Sequence, residues 1–178
     1  MIYCLTGFMG SGKSSVGKAL AERLSLPFTD LDAWLEGVTQ RSIPELFDAY
    51  GEPGFRSLEK EALSEVLDTA ARRGGSLVLS LGGGTLTTEA CAKRIRRDTC
   101  CIYLRNRLES LCENLSDTTS GRPLLRGAAD PDALKERIAA LMRTRGPVYE
   151  SVARFVVDTD GLDAAEAAEK LIRECGIS

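Results

Sequence analysis

Short, uninterrupted apolar runs alternate along the chain with segments whose apolar residues recur every three or four positions. Five runs are too short for helices and predict buried β-strands: residues 2–6, 27–30, 76–81, 99–104 and 154–159. The segments between them predict helices, one from Lys13 to near Ser25 and another begun by a capping box at Ser42 and Glu45. Such alternation is typical of an α/β fold with a five-stranded parallel sheet flanked by helices.

Two segments late in the chain depart from this regular alternation. Residues 113–129 are polar, contain glycine and show no clear period, so we expect a mobile loop there. The helix that opens at Asp130-Pro131 is expected to break at Gly146-Pro147, because proline lacks a backbone N–H. The pattern contains no linker, and residues 1–178 are expected to form a single domain.

Composition narrows the possible functions. Hydrophobic residues make up 43% of the 178 and charged residues 28%, and a net charge of −3 argues against a nucleic-acid partner. No run approaches the roughly 20 apolar residues of a membrane helix, so we expect no membrane partner. The six cysteines form no CxxC pair, which favours free thiols in a reducing cytoplasm. Because histidine is absent, acid–base chemistry falls to carboxylates or lysine.

The segment after the first predicted strand reads Gly7-x-x-x-x-Gly12-Lys13-Ser14, the pattern of a phosphate-binding loop. Its backbone N–H groups and the following helix are expected to hold the phosphates of ATP, with Ser14 offering a hydroxyl to Mg²⁺. The expected ATP-binding residues are Gly10, Ser11, Gly12, Lys13, Ser14 and Ser15. The alternatives are a glycine turn with a surface lysine, or a GTPase, which the absence of an Asn-Lys-x-Asp motif disfavours.

Two further clusters follow predicted strands, and in parallel sheets ligands collect beyond the strands' carboxyl ends. Asp30 and Asp32 would point the same way if their segment is extended, one towards the water shell of a metal and the other towards a hydroxyl proton. Asp32 alone is equally consistent with a helix N-cap. Gly82–Gly84 offers bare backbone amides to a ligand, although a tight turn is the simpler interpretation.

Three arginines are candidates for binding anions. Arg56 and Arg145 would form a fork for a carboxylate if they face one cavity, although each alone is more often a surface residue. Arg122 stands in the polar segment, where it would neutralise the γ-phosphate in the transition state or remain a solvated loop charge.

These segments occur in the order and spacing of shikimate kinases, which the chain resembles over residues 2–157. The distinctive stretches are FTDLD, GEPGFRSLE, LSLGGGT, GRPLL and RTRGPVYESVA. The resemblance implies a P-loop NTPase fold similar to nucleoside-monophosphate kinases, with a substrate-binding helical region at about 32–72 and a lid at about 113–129. It also implies a cytoplasmic enzyme, which we expect to be a monomer, that phosphorylates the 3-hydroxyl of shikimate with MgATP in chorismate biosynthesis.

The resemblance also implies roles for individual residues. The catalytic residues would be Asp32 as the base, Lys13 and Arg122, the last of which would also contact ATP. The shikimate-binding residues would be Asp32, Arg56, Gly82, Gly83, Gly84 and Arg145. Ser14 and, through water, Asp30 would hold Mg²⁺, and Glu59 would orient Arg56.

The sequence departs from that family where an arginine would stack on adenine, since Cys112-Glu113-Asn114 stands there instead. Two alternatives to shikimate kinase remain. One is a related kinase whose acceptor is gluconate or a nucleoside monophosphate. The other is a non-catalytic ATP-binding module that regulates a partner, which Asp32 argues against because nucleotide binding alone would not require it.

Overall fold

Five parallel strands form the centre of the protein in a computed structural model that describes residues 1–116, 123–127 and 130–177. The strands are β1 Ile2–Thr6, β2 Phe28–Asp30, β3 Leu77–Ser80, β4 Cys100–Arg105 and β5 Phe155–Asp158. Their spatial order is β2-β3-β1-β4-β5, with β1 paired between β3 and β4. The prediction of a five-stranded parallel sheet is therefore confirmed, and each strand end lies within one residue of its predicted position.

Seven helices in the described residues surround this sheet. They are α1 Lys13–Leu24, α2 Leu31–Thr39, α3 Ile43–Arg72, α4 Glu89–Asp98, α5 Leu108–Leu115, α6 Pro131–Val152 and α7 Ala164–Cys175. Two single turns of 3-10 helix, Thr85–Thr87 and Pro123–Leu125, lie between them. None of the helices in the described part of the chain is long and apolar enough to cross a membrane.

The sheet has a core on each face because successive strand residues point to opposite sides. On one side Cys4, Leu79 and Cys101 pack with α2, α3 and α4. On the other side Leu5 and Ile102 pack with α1 and α7. Both faces of the central strands are buried, which explains why these strands are apolar without alternation.

Helix α3 consists of two helical segments joined at Gly51. Its first turn has the predicted capping box, in which Ser42 and Glu45 each bond the other's backbone N–H. Gly51 has φ 65° and ψ 177°, a conformation that glycine adopts far more readily than other residues. The chain therefore changes direction at Gly51 and immediately starts the second segment, which carries Arg56 and Glu59.

Two predictions for the second half of the chain are wrong. Helix α5 covers residues 113–115, which we expected in a loop, because Leu111 and Leu115 bury one face against Phe8 and Ile138. Further along the expected loop, Pro123–Leu125 forms a turn of 3-10 helix, and residues 117–122 and 128–129 lie outside the described residues.

Helix α6 does not break at Gly146-Pro147 but continues to Val152. A proline inside a helix costs about 3 kcal/mol, chiefly through one lost hydrogen bond and a clash of its ring. Tyr149 and Val152, which follow it, are 1% and 4% exposed and belong to the sheet-facing core. Their burial offsets the cost of Pro147 and carries the helix through.

Candidate active site

The glycine-rich loop curls between the carboxyl end of β1 and the first turn of α1. Gly10 and Gly12 have φ of 79° and 81°, which lets the chain bend towards the helix axis. Lys13 begins α1 and is 8% exposed. Its Nζ donates hydrogen bonds to the carbonyls of Gly7 at 3.0 Å and Phe8 at 2.8 Å. The ammonium group therefore lies inside the curve of the loop, where the charges of bound phosphates would fall.

Helix α5 packs directly on this loop. Asn114 Nδ2 donates to the carbonyl of Gly10 at 2.9 Å. A methyl group added at Gly10 would lie 2.9 Å from Cγ of Leu115. The close approach of α5 to the loop therefore requires glycine at position 10 for steric as well as conformational reasons.

The prediction that Asp30 and Asp32 lie on one extended segment is wrong, because Asp30 ends β2 and Asp32 lies in the first turn of α2. Asp30 ends β2 and is the N-cap of α2, its Oδ1 accepting the N–H groups of Asp32 and Ala33 at 3.1 Å each. Its other oxygen, Oδ2, accepts a short hydrogen bond from the Ser14 hydroxyl. The interpretation of Asp32 as the cap is also wrong, because the Asp32 carboxylate lies beyond the cap and takes no part in it.

The Asp32 carboxyl lies in an acidic and poorly solvated position. Burial, together with the nearby negative charges of Glu59 and Asp30, raises its pKa to about 7, against the opposing effect of Lys13 and Arg56. A methyl group added at Gly82 would lie 2.8 Å from Asp32 Oδ1 and 2.7 Å from Glu59 Oε1. Only a glycine therefore leaves room for both carboxylates beside the β3 turn.

Arg56 points from the second segment of α3 into the same region. Its Nη1 contacts Glu59 Oε2 at 2.7 Å, and Glu59 is only 1% exposed. The guanidinium carbon lies 5.9 Å and 5.4 Å from the ring centres of Phe47 and Phe55. Burial alone would lower the pKa of Arg56, but the Glu59 charge and the hydrogen bonds of Glu59 and Glu52 raise it. The cation is held rigidly beside Gly84.

Arg145 reaches the same glycine turn from α6. Although it stands on α6, it is 4% exposed rather than a surface residue, and its Nη1 donates to the carbonyl of Gly83 at 3.2 Å. The Tyr149 hydroxyl, one turn further along α6, donates to the same carbonyl. Burial raises the pKa of Tyr149 to about 12, so it remains a donor at any physiological pH.

Several of these side chains line one cavity of about 180 Å³. Its walls include Asp32, Arg56, Arg145 and the three glycines, with Phe47 and Phe55 supplying an apolar side. A larger cleft of about 890 Å³ runs along the glycine-rich loop and shares Met9, Asp32, Glu36 and Gly83 with it. The two cavities therefore meet at Asp32, as a donor site and an acceptor site must.

A third cavity, of about 230 Å³, lies on the far side of the glycine-rich loop. Ser11 and Thr159, which line it, are 5% and 4% exposed, and their hydroxyl oxygens have no hydrogen-bond partner among the described residues. The buried Oδ1 of Asn106 also lacks a partner within that part of the chain. Buried polar atoms without partners in the protein are uncommon, and water or a polar ligand can supply the missing partner.

The sequence interpretation missed several of these residues, and Arg122 lies outside the described residues. It did not identify Thr85, Tyr149 or the aromatic pair Phe47 and Phe55. Thr85 follows the triple glycine directly and Phe55 precedes Arg56, so proximity to a motif was the available signal. Tyr149 also lies in a distinctive stretch, RTRGPVYESVA, but it was not identified because the helix was expected to break before it, at Gly146-Pro147.

The chain is similar to proteins of one family over almost its whole length. A family model described as shikimate kinase matches residues 9–176. Shikimate kinase of Thermodesulfovibrio yellowstonii is 40% identical over 170 residues, which is 96% of this chain and 92% of the relative. A shikimate kinase of Thermus thermophilus is 39% identical over 170 residues, 96% of this chain and 87% of the relative.

Solved structures of shikimate kinases also resemble this chain in fold. Shikimate kinase from Acinetobacter baumannii in complex with shikimate superposes with a TM-score of 0.87 at 31% identity, covering 97% of this chain and 90% of that one. Shikimate kinase from Aquifex aeolicus superposes with a TM-score of 0.81 at 28% identity, covering 99% of this chain and 96% of that one. The likeness thus extends to sequence and fold together.

Proposed function

The chain belongs to the shikimate kinase family, and on this premise we propose that it transfers the γ-phosphoryl group of ATP to the 3-hydroxyl of shikimate. The products are 3-phosphoshikimate and ADP. The observation that carries the proposal is the convergence of Asp32, Arg56 and Arg145 on one cavity that adjoins the glycine-rich loop. To phosphorylate a hydroxylated acid, a site needs cations that bind the carboxylate of the acid and, at the other end, a base that accepts the hydroxyl proton.

We place the carboxylate of shikimate between Arg56 and Arg145. Both arginines reach the triple glycine, from α3 and α6 respectively, and present two cations to one small volume. Nε of Arg56 is buried and has no hydrogen-bond partner among the described residues. The guanidinium of Arg56 lines the cavity, and arginine forms planar paired bonds with a carboxylate.

We assign the proton transfer to Asp32. The 3-hydroxyl oxygen forms a bond to the γ-phosphorus while the bond from that phosphorus to the bridging oxygen of ADP breaks. The hydroxyl proton passes to the Asp32 carboxylate. A base is most effective when its pKa lies near the working pH, and burial beside Glu59 raises the pKa of Asp32 to about 7.

Lys13 contributes positive charge on the donor side. It bonds the carbonyls of Gly7 and Phe8 from within the loop, close to where the β- and γ-phosphates would lie. The N–H groups from Gly10 to Ser15 and the amino end of α1 complete the phosphate site. Arg122 is proposed to approach the transferred group, although it lies outside the described residues.

Ser14 and Asp30 provide the chemistry that Mg²⁺ requires. Their oxygens are already hydrogen-bonded to one another, and both are hard donors of the kind Mg²⁺ prefers. No group of three or more acidic, cysteine or histidine side chains that could hold a metal ion is present in the described residues, so water and phosphates would supply most ligands of Mg²⁺. When bound, Mg²⁺ neutralises phosphate charge, and Asp30 is proposed to hold one of its waters.

The third cavity is our proposed site for the adenine base. It lies beside Ser11 and Gly12 of the glycine-rich loop, so a nucleotide whose phosphates occupy the loop reaches it directly. The oxygens of Asn106 and Thr159 supply partners for a heteroaromatic ring. Asn114, one of the three residues Cys112-Glu113-Asn114 where an adenine-stacking arginine was expected, instead bonds the loop at Gly10.

We also infer that the enzyme works as a monomer in the cytoplasm. All six cysteines are free thiols, and five of them are buried, as suits a reducing compartment. The large exposed apolar side chains in the described residues are well separated along the chain: Met1, Val38, Tyr50, Val156 and Leu162. Scattered residues of this kind do not form an apolar interface.

The direct test measures ADP release with MgATP and a panel of acceptors. Shikimate should support turnover. With gluconate or nucleoside monophosphates, the rate of ADP release should not exceed the rate measured without an added acceptor, when ATP is only hydrolysed by water. Turnover with another acceptor and none with shikimate would overturn the proposal. ATP binding without turnover on any acceptor would instead favour the regulatory module.

A further inference from the structure

Thr85 connects the glycine turn to α3 through a fully buried hydroxyl. The residue is 0% exposed and begins the 3-10 turn directly after Gly84. Its Oγ1 lies 2.5 Å from Glu59 Oε1 and 3.1 Å from the carbonyl of Gly82. A hydroxyl has one proton, and the shorter, charge-assisted contact to the carboxylate takes it.

The carbonyl of Gly82 does not depend on that hydroxyl. The backbone N–H of Thr85 already donates to it at 3.2 Å. Thr85 therefore holds Gly82 with its backbone and Glu59 with its side chain. One residue thus fixes the distance between the turn after β3 and the second segment of α3.

Glu59 has one partner for each carboxylate oxygen. Thr85 donates to Oε1, and Arg56 donates to Oε2 at 2.7 Å. Since Glu59 is 1% exposed, water does not replace either partner readily. Loss of the hydroxyl would leave Oε1 buried and facing Gly82, on the side of the Asp32 carboxylate. Glu59 would be expected to turn away from this position and to carry Arg56 with it.

We propose that Thr85 is a positioning residue for the acceptor site, which holds Arg56 in its carboxylate-binding orientation through Glu59. The inference rests on the proposed acceptor site. Thr85 itself is not placed in contact with either substrate. Its effect on catalysis passes through two neighbouring side chains, and it should act on the acceptor and not on ATP.

The test compares Thr85→Val with Thr85→Ser. Valine keeps the shape of threonine and removes the hydroxyl, whereas serine keeps the hydroxyl and removes the methyl group. Thr85→Val should raise KM for shikimate about tenfold, since a hydrogen bond to a buried charge is commonly worth that factor or more. KM for ATP should stay within twofold, and Thr85→Ser should restore most of the shikimate affinity.

Thr87→Val is the matched control. Thr87 lies in the same 3-10 turn and donates to the carbonyl of Gly84 at 2.6 Å, but it has no carboxylate partner. It should leave both KM values unchanged. If Thr85→Val proves too unstable to purify, Thr85→Ser against Thr85→Ala makes the same comparison, because these two differ by a single hydroxyl.

The outcomes separate this proposal from the acceptor site on which it rests. Arg56→Ala is measured alongside, and an unchanged KM for shikimate in that variant would mean that the acceptor site itself is misassigned. If Arg56→Ala weakens shikimate binding while Thr85→Val does not, the positioning role is wrong. Equal increases in both KM values, or no recovery with serine, would likewise overturn it.

Discussion

The side chain of Asp30 caps the helix that carries Asp32: its Oδ1 accepts the backbone N–H of Asp32 at 3.1 Å. The two carboxylates therefore have separate tasks although one residue lies between them. Asp30 holds the start of α2 and bonds Ser14, whereas the side chain of Asp32 is left to face the junction of the two cavities. Substitution of Asp30 should therefore affect the start of α2, whereas substitution of Asp32 should affect the chemistry in the cavity.

Asp32→Asn should abolish most turnover and leave the fold intact. Removal of a general base typically lowers kcat by about 10² to 10⁴. Because Asp32 is not the cap of α2, affinity for ATP should remain within about twofold in calorimetry. A matching loss of ATP affinity would show that the residue is structural.

The same substitution should stabilise the protein, and more so at high pH. The pKa of Asp32 is raised from 3.8 to about 7 on folding, so its stabilising contribution is present below about pH 4 and is lost as the pH rises through 7. Asparagine does not ionise, so the variant should not lose this stability as the pH rises. Thermal melts at pH 5 and pH 8 should show a larger gain in Tm for Asp32→Asn at pH 8, by several degrees, since about 1 kcal/mol corresponds to ~2–4 °C in a chain of this size. A larger gain at pH 5 would contradict the raised pKa.

Catalysis should depend on pH through the same group. In the wild type kcat/KM should fall below about pH 7, because a protonated Asp32 accepts no proton. The residual activity of Asp32→Asn should lack this acidic limb when it is measured over the same range. Persistence of the limb in the variant would assign it to another group.

Arg56→Ala and Arg145→Ala should each weaken binding of the acceptor by about ten- to a hundredfold in KM for shikimate, the size expected for a lost charge-assisted hydrogen bond. KM for ATP should change little. Arg143→Ala is the control, since Arg143 lies on α6 two residues before Arg145 but is exposed. An effect from Arg143 equal to that from Arg145 would point to a general disturbance of the helix.

Gly82→Ala should inactivate the enzyme by crowding. The new methyl group would lie within 3.1 Å of oxygens of Asp32, Glu59 and Thr85, and these must move. Gly37→Ala is the matched control in α2, where an added methyl group meets nothing within 4 Å. It should keep full activity and gain about 0.5–1 kcal/mol in unfolding free energy, because alanine favours helix over glycine. Thermal melts and initial rates, measured on Gly82→Ala and Gly37→Ala together, test both expectations.

The sequence determined the strands, most helices and the glycine-rich loop. These depend on local information: uninterrupted apolar runs bury both faces of a strand, and a glycine pattern with lysine and serine has few other uses. The capping box at Ser42 and Glu45 was predictable because both partners lie within a single turn. The sequence also identified Asp32, Arg56 and Arg145 as candidate site residues, since charged residues at strand ends or near helix-breaking residues are unusual.

Tertiary structure decided which of these side chains meet and how. Helix α6 passes through Pro147 because residues beyond it are buried against the sheet, which local preference does not reveal. The contact of Arg145 with the carbonyl of Gly83 and the contact of Thr85 with Glu59 depend on where the turn after β3, α3 and α6 come together. Such contacts join residues far apart in the chain, and their energies exist only once the sheet has brought the segments within hydrogen-bond distance.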